Sequence, residues 1–208
     1  MTEPAVRTVY LAVYDTLADW EPGHAVAHIS RPSWQRTPGR YRVATVGPTT
    51  APVTTAGGVR ILPDLAVTDL DPADAAAMLI LPGNDIWDTD AFIPFAAAAR
   101  AFLDAGVPVA AICGATGGLA LAGLLDDRAH TSNAREYLTG LGYGGAHLYR
   151  DEPAVSDRDL ITASATAPVE FAREILARLD VYEPHVLDSW YKLYGRRDPA
   201  GFHELMSA

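Results

Sequence analysis

The sequence contains a single cysteine, Cys113, which directly follows the apolar run VPVAAI. Small residues surround it, since Ala111 lies two positions before it and the segment GATGG follows it. This arrangement is typical of a nucleophile elbow, a sharp strained turn between a strand and a helix that exposes a nucleophilic side chain. The N-terminus of the following helix favours a thiolate, so we expect the pKa of this thiol to lie below that of free cysteine. A buried, unreactive cysteine is the alternative interpretation.

Two other segments carry groups that could assist a nucleophilic cysteine. The turn PGN follows the apolar run AMLIL, and the backbone N–H groups of Gly83 and Asn84, together with that of Gly114, could stabilise a developing oxyanion. The acidic segment DWE follows the first apolar run and contributes Asp19 and Glu21. In a parallel sheet, ligands bind beyond the carboxyl ends of the strands, where these segments would meet. The two carboxylates could equally cap the first helix.

Apolar runs alternate with helical patterns along the chain. Strands are predicted at residues 8–13, 41–46, 77–81, 107–112, 128–131, 146–149 and 160–163, with a hairpin at 53–61. Helices are predicted at residues 19–28, 95–105, 119–125 and 169–179. Continuous apolar strands that alternate with helices indicate an α/β fold, in which a mostly parallel sheet is covered by helices on both faces.

The length of 208 residues fits one domain. We assign residues 1–180 to this domain and residues 181–208 to a helical C-terminal extension that is not a separate domain. The extension carries large side chains among charged residues, namely Trp190, Tyr191, Tyr194, Phe202 and Met206. This pattern predicts one or two helices that pack on the domain or across an interface between two copies of the chain.

The composition argues against several classes of protein. The formal charge is −10 and the basic residues are scattered, whereas a nucleic-acid-binding protein needs clustered Lys and Arg. The sequence has no run of about 18 apolar residues and no signal-peptide pattern at its N-terminus, so we expect no membrane span and a cytoplasmic location. A single cysteine rules out an internal disulfide and a multi-cysteine metal site.

One set of possible metal ligands needs consideration. Glu21, His24 and His28 have the spacing i, i+3 and i+7, which would place them on one face of a helix. Two histidines and a carboxylate can bind zinc, but the fourth ligand has no candidate, and a solvent or interface face explains the spacing equally well. We therefore expect neither a metal nor a cofactor.

Three motifs together resemble the ThiJ/PfpI superfamily. The segment AAICGATGGLALAGLLDDR, residues 110–128, resembles the family pattern of a strand ending in AIC, a short elbow and a helix that closes on AGLL. The acidic segment at 19–21 and the LPG turn at 81–83 match in the same order, and the similarity covers residues 7–179. The resemblance implies a class I glutamine amidotransferase-like fold, a flavodoxin-like three-layer sandwich, and a homodimer.

The resemblance also implies a partner for the cysteine. In this family an acidic residue after the first strand is hydrogen-bonded to the cysteine and is usually protonated. Glu21 best matches that position and Asp19 is the second candidate. A carboxyl group beside a thiolate should have a raised pKa, because two anions at one site repel each other, and it could then shuttle a proton.

The sequence departs from the family where many members have a histidine near the cysteine. Gly114 follows Cys113 directly, and on the segment after the elbow helix Asn133 aligns with the family's histidine. A shift of a few residues would place His130 there instead. His24, one helical turn from the acidic segment, is a further candidate to approach the sulfur.

These departures narrow the expected activity. The sequence has no H-x-E pair, so glutamine hydrolysis is not expected, and protease activity is equally hard to support without the histidine. The resemblance then implies a cysteine-dependent hydrolase or lyase that acts on a small reactive carbonyl such as methylglyoxal, or on an isocyanide-like group. A redox-sensing or stress-response protein with an oxidisable cysteine is the alternative. An inert scaffold is a third interpretation.

Overall fold

The computed structural model describes residues 6–208. Within them the strands are β1 (Arg7–Ala12), β2 (Tyr41–Gly47), β3 (Val53–Thr54), β4 (Arg60–Ile61), β5 (Leu65–Ala66), β6 (Ala76–Leu81), β7 (Val109–Ile112), β8 (Ala154–Asp157) and β9 (Leu160–Ala163). The α-helices are α1 (Gly23–Ser30), α2 (Ile93–Asp104), α3 (Gly114–Leu121), α4 (Arg135–Thr139), α5 (Pro168–Arg178), α6 (Pro184–Tyr194) and α7 (Ala200–Leu205).

Seven strands form one sheet in the order β5-β2-β1-β6-β7-β9-β8, while β3 and β4 form a separate antiparallel hairpin. Every neighbouring pair in the large sheet is parallel except β8 and β9. All residues of the central strands β6 and β7 are buried. This burial explains their continuous apolar sequences, because a parallel sheet covered by helices on both faces has no solvent-facing side.

The helices pack in two groups around this sheet. α1 contacts α5, while α2 contacts α3, β6 and β7. The architecture confirms the predicted flavodoxin-like α/β sandwich with helices around a mostly parallel sheet. No helix between residues 6 and 208 is both long and apolar enough to cross a membrane.

The strand register brings four loops to one edge of the sheet. Leu81 at the end of β6 lies beside Ala111 of β7, and Ile112 lies beside Ala163 at the end of β9. The residues that follow β1, β6, β7 and β9 therefore emerge next to one another. This edge is where a doubly wound fold binds ligands.

Two predicted helices begin at other residues than expected. The helix predicted at 19–28 starts only at Gly23, because residues 19–22 form turns that lead from β1 across the edge of the sheet. The helix predicted at 119–125 starts at Gly114 and ends at Leu121. Its first turns are rich in glycine, which disfavours helices in isolation, but residues 114–120 are all buried and tertiary packing decides their conformation.

Two predicted strands are wrong. Residues 128–131 and 146–149 meet only in an isolated parallel bridge between His130 and Tyr149, and Ala146–Leu148 is a 3-10 turn. The antiparallel edge strand β8 was not predicted. Edge strands pair on one side and are partly exposed, so their sequences carry a weaker apolar signal.

The C-terminal extension contains the two helices α6 and α7. α6 packs on α5 and against α7, and its Trp190 is completely buried. The indole N–H of this tryptophan donates a hydrogen bond of 3.0 Å to Nε2 of His28 on α1. The extension therefore lies against the same side of the molecule as α1 and α5.

Candidate active site

The structure places Cys113 on a strained turn between β7 and α3. Its backbone has φ 58° and ψ −128°, a conformation that non-glycine residues rarely adopt. Two hydrogen bonds hold the turn: the N–H of Cys113 donates to the carbonyl oxygen of Ala163 at 3.0 Å, and Oγ1 of Thr116 donates to the carbonyl oxygen of Cys113 at 2.6 Å. The side chain of the cysteine is partly exposed. Strain that neighbouring structure maintains at a reactive side chain is a feature of functional sites.

Glu21 lies beside this turn and is completely buried. The backbone N–H of Gly83 donates a hydrogen bond of 2.5 Å to its Oε2 atom, whereas its buried Oε1 atom has no hydrogen-bond partner within residues 6–208. Hydrogen bonding also links the carboxyl group to the thiol of Cys113. Gly83 is wedged between the two side chains, because a Cβ atom there would lie 2.7 Å from Cβ of the cysteine and 2.8 Å from Oε2. Only glycine fits at this position.

The pKa values of the pair are set mainly by burial. Burial raises the pKa of the Glu21 carboxyl group, although the hydrogen bonds from Gly83 and Cys113 partly oppose this shift. Burial also raises the pKa of the Cys113 thiol, and the charge of Glu21 raises it further, while hydrogen bonds from Asn133 and Gly114 act in the opposite direction. The prediction of a lowered thiol pKa is therefore wrong, because desolvation and a neighbouring carboxylate outweigh the helix N-terminus. The two groups form one coupled acid–base pair.

The predicted oxyanion donors are only partly available. The N–H of Gly83 is committed to Glu21, so this glycine positions the carboxyl group instead of binding an oxyanion. The N–H of Gly114 points toward the sulfur. Asn84 is buried, and its Oδ1 atom accepts a hydrogen bond of 2.9 Å from the N–H of Ile86, which fixes the loop after β6. The backbone N–H groups of Asn84 and Gly114 are the donors that remain from the prediction.

Asn133, and not His130, faces the sulfur. Its Nδ2 atom lies 3.5 Å from Sγ of Cys113, and its Oδ1 atom accepts a hydrogen bond of 2.9 Å from the N–H of Ala165. The imidazole of His130 is buried elsewhere, with Nδ1 at 2.7 Å from the carbonyl oxygen of Arg128 and Nε2 at 2.7 Å from the Tyr143 hydroxyl. Both ring nitrogens are occupied, so this histidine does not serve the cysteine.

The other acidic candidate, Asp19, points away from the sulfur. Its carboxylate accepts a hydrogen bond of 2.7 Å from the N–H of Gly57 in the β3–β4 hairpin. A hydrogen bond from Thr55 is the main cause that lowers its pKa. This carboxylate therefore fixes the hairpin and takes no part in the pair.

The histidines of α1 also face away from the cysteine. His24 and His28 stack at a ring-centroid distance of 6.5 Å, and both contact Trp190 and Tyr194 of α6. The predicted approach of His24 to the sulfur has no support in this packing. Between residues 6 and 208 there is no group of three His, Cys, Asp or Glu side chains arranged to hold a metal ion.

Sequence reasoning did not assign a role to Tyr137. The indole ring of Trp87 covers the first turn of α3, since a Cβ atom at Gly114 would lie 2.7 Å from its Cδ1 atom. Tyr137 of α4 packs edge-on against this indole at a centroid distance of 5.2 Å. No sequence signal linked Tyr137 to the cysteine, because α4 was not predicted.

Two surface cavities reach residues that contact the elbow. One, of about 410 Å³, is polar and is lined by Ser132, Asn133, Ser164, Thr166 and the carboxylates of Asp151, Glu152 and Glu170, among others. The other, of about 430 Å³, is more apolar and lies between α2 and α3, where Trp87, Phe92, Ile93 and Leu121 line it. Asn133 lines the first cavity, and its Nδ2 atom lies 3.5 Å from the sulfur.

The chain has a doubly wound α/β fold, a cysteine on a strand–helix elbow and a buried glutamate beside that cysteine. These features place it in a class of α/β proteins whose site is built around one cysteine. The model of the DJ-1/PfpI family matches residues 7–178 of the chain. The chain therefore belongs to the DJ-1/PfpI family, as the sequence motifs predicted.

Relatives of the chain agree with this assignment. It is 41% identical over 204 residues to a Bacillus subtilis protein named as an uncharacterized protease, YoaZ, with 97% of each chain covered. A thiJ/pfpI family protein from Bacillus anthracis has a crystal structure that matches with a TM-score of 0.90 and 38% identity, over 98% of both chains. A DJ-1 superfamily protein from Agrobacterium tumefaciens matches with a TM-score of 0.80 and 31% identity, over 92% of this chain and all of that one.

Proposed function

We propose that the protein is a cysteine-dependent enzyme of the hydrolase or lyase type that acts on a small reactive carbonyl or a similar electrophile. The observation that carries the proposal is the buried carboxyl group of Glu21, which lies beside the Cys113 side chain across Gly83 and has an Oε1 atom without a hydrogen-bond partner within residues 6–208. An unpaired carboxylate oxygen in a protein interior costs free energy. A role in moving the thiol proton accounts for this cost.

The chemistry begins with a protonated thiol, because burial and the nearby carboxylate disfavour the thiolate. As Sγ of Cys113 forms a bond to the electrophilic carbon, the thiol proton passes to the carboxylate of Glu21, and the electrons of the carbonyl double bond move to its oxygen. The raised pKa of the carboxyl group makes it a stronger base than an exposed glutamate. The N–H groups of Asn84 and Gly114 stabilise the oxygen anion. Breaking the same bond returns the proton.

The polar cavity beside Asn133 gives such a substrate a route to the sulfur. Its lining combines hydroxyl and carboxylate groups, which suit a small polar molecule better than an apolar one. The B. subtilis relative is named as a protease, so peptide hydrolysis is the activity to compare with this proposal. The proposal favours small electrophiles, because an amide and not an imidazole faces the sulfur.

A redox-sensing role is the second candidate, and the same orphaned oxygen supports it. A protonated Oε1 atom of Glu21 would donate a hydrogen bond to an oxygen of oxidised Cys113 and so stabilise a sulfinate. Oxidation of the cysteine by substoichiometric peroxide, without turnover of any carbonyl, favours this candidate over the enzyme.

We also propose that the protein is a homodimer in the cytoplasm that binds a small molecule and neither nucleic acid nor membrane. Phe202 on α7 and Met206, which directly follows this helix, support an interface there, because both are exposed, at 48% and 66% of their surface. Light scattering of the full chain tests the dimer, and a monomer at micromolar concentration contradicts it.

The central experiment follows alkylation of Cys113 by iodoacetamide with pH, using intact mass. We expect a midpoint above that of a free thiol. Glu21→Gln should lower the midpoint by about one pH unit or more, because it removes the like charge that disfavours the thiolate. Asp19→Asn is the matched control and should leave the midpoint unchanged, since its carboxylate binds the hairpin.

Turnover provides the second part of this experiment. Cys113→Ser should abolish conversion of methylglyoxal, which is the first substrate to test. Full activity of this variant on any substrate that the wild type converts disproves the nucleophile. A midpoint equal to that of a free thiol and insensitive to Glu21→Gln disproves the coupled pair.

A further inference from the structure

A second buried polar atom without a partner lies near the cysteine. The hydroxyl oxygen of Tyr137 is buried and has no hydrogen-bond partner within residues 6–208. Other buried tyrosine hydroxyls are satisfied: that of Tyr14 donates to the carbonyl oxygen of Pro82, and that of Tyr182 lies 2.8 Å from Nδ1 of His28. Since buried hydroxyl groups in folded proteins nearly always find partners, this exception requires an explanation.

The hydroxyl lies against the first turn of α3, the helix that Cys113 caps. A Cβ atom at Gly117 would be 2.7 Å from the Tyr137 oxygen. Gly117 is the fourth residue of this helix, one turn beyond the elbow. The charge of the cysteine also acts on the tyrosine, whose pKa is raised first by burial and next by this charge.

The surrounding contacts fix the hydroxyl in this position. The tyrosine ring packs edge-on against Trp87, and the same indole covers both Gly114 and Gly117. A side chain at either glycine would displace the indole or the hydroxyl. Glycine has a low helix propensity, so the two glycines weaken α3. The space that the two aromatic side chains need explains why glycine occurs at both positions.

We infer that Tyr137 is a further catalytic residue, whose hydroxyl group donates a hydrogen bond to the substrate oxygen that becomes negatively charged when the sulfur of Cys113 adds to a carbonyl carbon. This inference rests on the proposed function. The bound substrate supplies the acceptor that the protein lacks. In the addition, the S–C bond forms, the thiol proton goes to Glu21, and the tyrosine keeps its own proton. Its O–H thus assists the donors from Asn84 and Gly114.

The test separates carbonyl addition from thiol reactivity. Tyr137→Phe keeps the ring against Trp87 and removes only the hydroxyl. Alkylation by iodoacetamide forms no oxyanion, so its pH profile should stay within about twofold of the wild-type rate at every pH. Methylglyoxal should protect Cys113 from alkylation about tenfold less well in the variant. Turnover of methylglyoxal should fall about 100-fold in kcat, as expected for the loss of one oxyanion donor.

A second tyrosine serves as a matched control. The hydroxyl of Tyr41 on β2 donates a hydrogen bond of 2.7 Å to the carbonyl oxygen of Leu179, away from the elbow. Tyr41→Phe should leave protection and turnover unchanged. Equal protection and turnover in Tyr137→Phe and the wild type overturn the role of Tyr137 while leaving the proposed function intact. If methylglyoxal neither protects Cys113 of the wild type from alkylation nor is converted by it, both the role of Tyr137 and the proposed function are overturned. If Cys113→Ser retains turnover, the proposed function is the source of the failure.

Discussion

Glu21 and His28 are two buried titratable side chains seven residues apart, and their hydrogen bonds differ in one respect. Both ring nitrogens of His28 are bonded, Nε2 to the indole N–H of Trp190 at 3.0 Å and Nδ1 to the Tyr182 hydroxyl at 2.8 Å. An indole can only donate, so Nε2 accepts, Nδ1 carries the proton, and the ring is neutral. In Glu21 one carboxylate oxygen is bonded to Gly83 and the other has no hydrogen-bond partner within residues 6–208.

The contrast distinguishes a buried group that stabilises the fold from a buried group that is able to react. His28 joins α1 to the C-terminal extension through a fully satisfied network, which stabilises the fold and leaves no group free to react. Glu21 lacks that completeness at Oε1, in a carboxyl group that lies beside the Cys113 side chain across Gly83. The spacing of Glu21, His24 and His28 suggested a common helix face. In the structure Glu21 lies beside Cys113, whereas the two histidines pack against Trp190 of the C-terminal extension. Variants on each side should therefore change different measurements.

The largest effect is expected on the reactive side, at Gly83. In Gly83→Ala the new methyl group would lie 2.7 Å from Cβ of Cys113 and 2.8 Å from Oε2 of Glu21, so the pair must separate. We expect methylglyoxal turnover to fall below detection and the pH profile of alkylation to lose its dependence on Glu21. Overpacking should also lower the unfolding free energy by about 1–3 kcal/mol.

The same substitution at Gly23 is the control. A Cβ atom there meets no atom within 4 Å, and this residue opens α1 in an exposed position. Gly23→Ala should retain full turnover and wild-type stability. Unchanged turnover in Gly83→Ala would show that the close approach of carboxyl and thiol is not needed for the chemistry.

On the structural side, His28→Phe should lower stability and spare reactivity. The phenyl ring fills similar space but leaves the Trp190 N–H and the Tyr182 hydroxyl without partners, and an unsatisfied buried group costs about 1–3 kcal/mol. We expect a loss of about 3 kcal/mol in urea unfolding at pH 7, with the iodoacetamide profile unchanged. Glu21→Gln should show the reverse pattern. A shifted alkylation midpoint in His28→Phe contradicts the separation of the two sites.

The histidine also predicts a pH dependence of stability. Burial lowers the pKa of His28 from 6.5 to about 4, with smaller contributions from the charges of His24 and Arg31. Between these values the unfolded chain binds a proton that the folded chain does not, so stability falls as pH decreases from about 6.5 to about 4. The advantage of the wild type over His28→Phe should shrink by about 3 kcal/mol across this window. A constant difference at pH 7 and pH 4 contradicts the neutral, buried imidazole.

The part of this architecture that depends on local sequence was predictable. Continuous apolar strands identified the parallel sheet, and the cysteine after VPVAAI identified the elbow. The acidic segment after β1 gave two carboxylates, and only the family resemblance favoured Glu21 over Asp19. The structure supplies the physical reason for that choice, since Asp19 turns to Gly57 in the hairpin and Glu21 turns to Gly83.

What could not be predicted depends on long-range burial. The helix N-terminus suggested a lowered thiol pKa, but the depth of Cys113 and its distance from Glu21 are properties of the folded site. Likewise, Gly83 was assigned to an oxyanion because its N–H was not known to be taken. Tyr137 lies on a helix of five residues, too short to show a periodic pattern. Its contact with the elbow arises from the packing of Trp87.

The smallest expected effect concerns Asn133, which lies on the reactive side but is exposed. Its amide hydrogen bond to the sulfur lowers the pKa of the Cys113 thiol, so Asn133→Ala should raise the alkylation midpoint, by about half a pH unit because solvent screens the contact. Asn133→Asp should raise it further, since a like charge replaces the donor. Both shifts oppose that of Glu21→Gln. A lower midpoint in Asn133→Ala would mean that the amide does not stabilise the thiolate, and the sulfur would then depend on Gly114 and Glu21 alone.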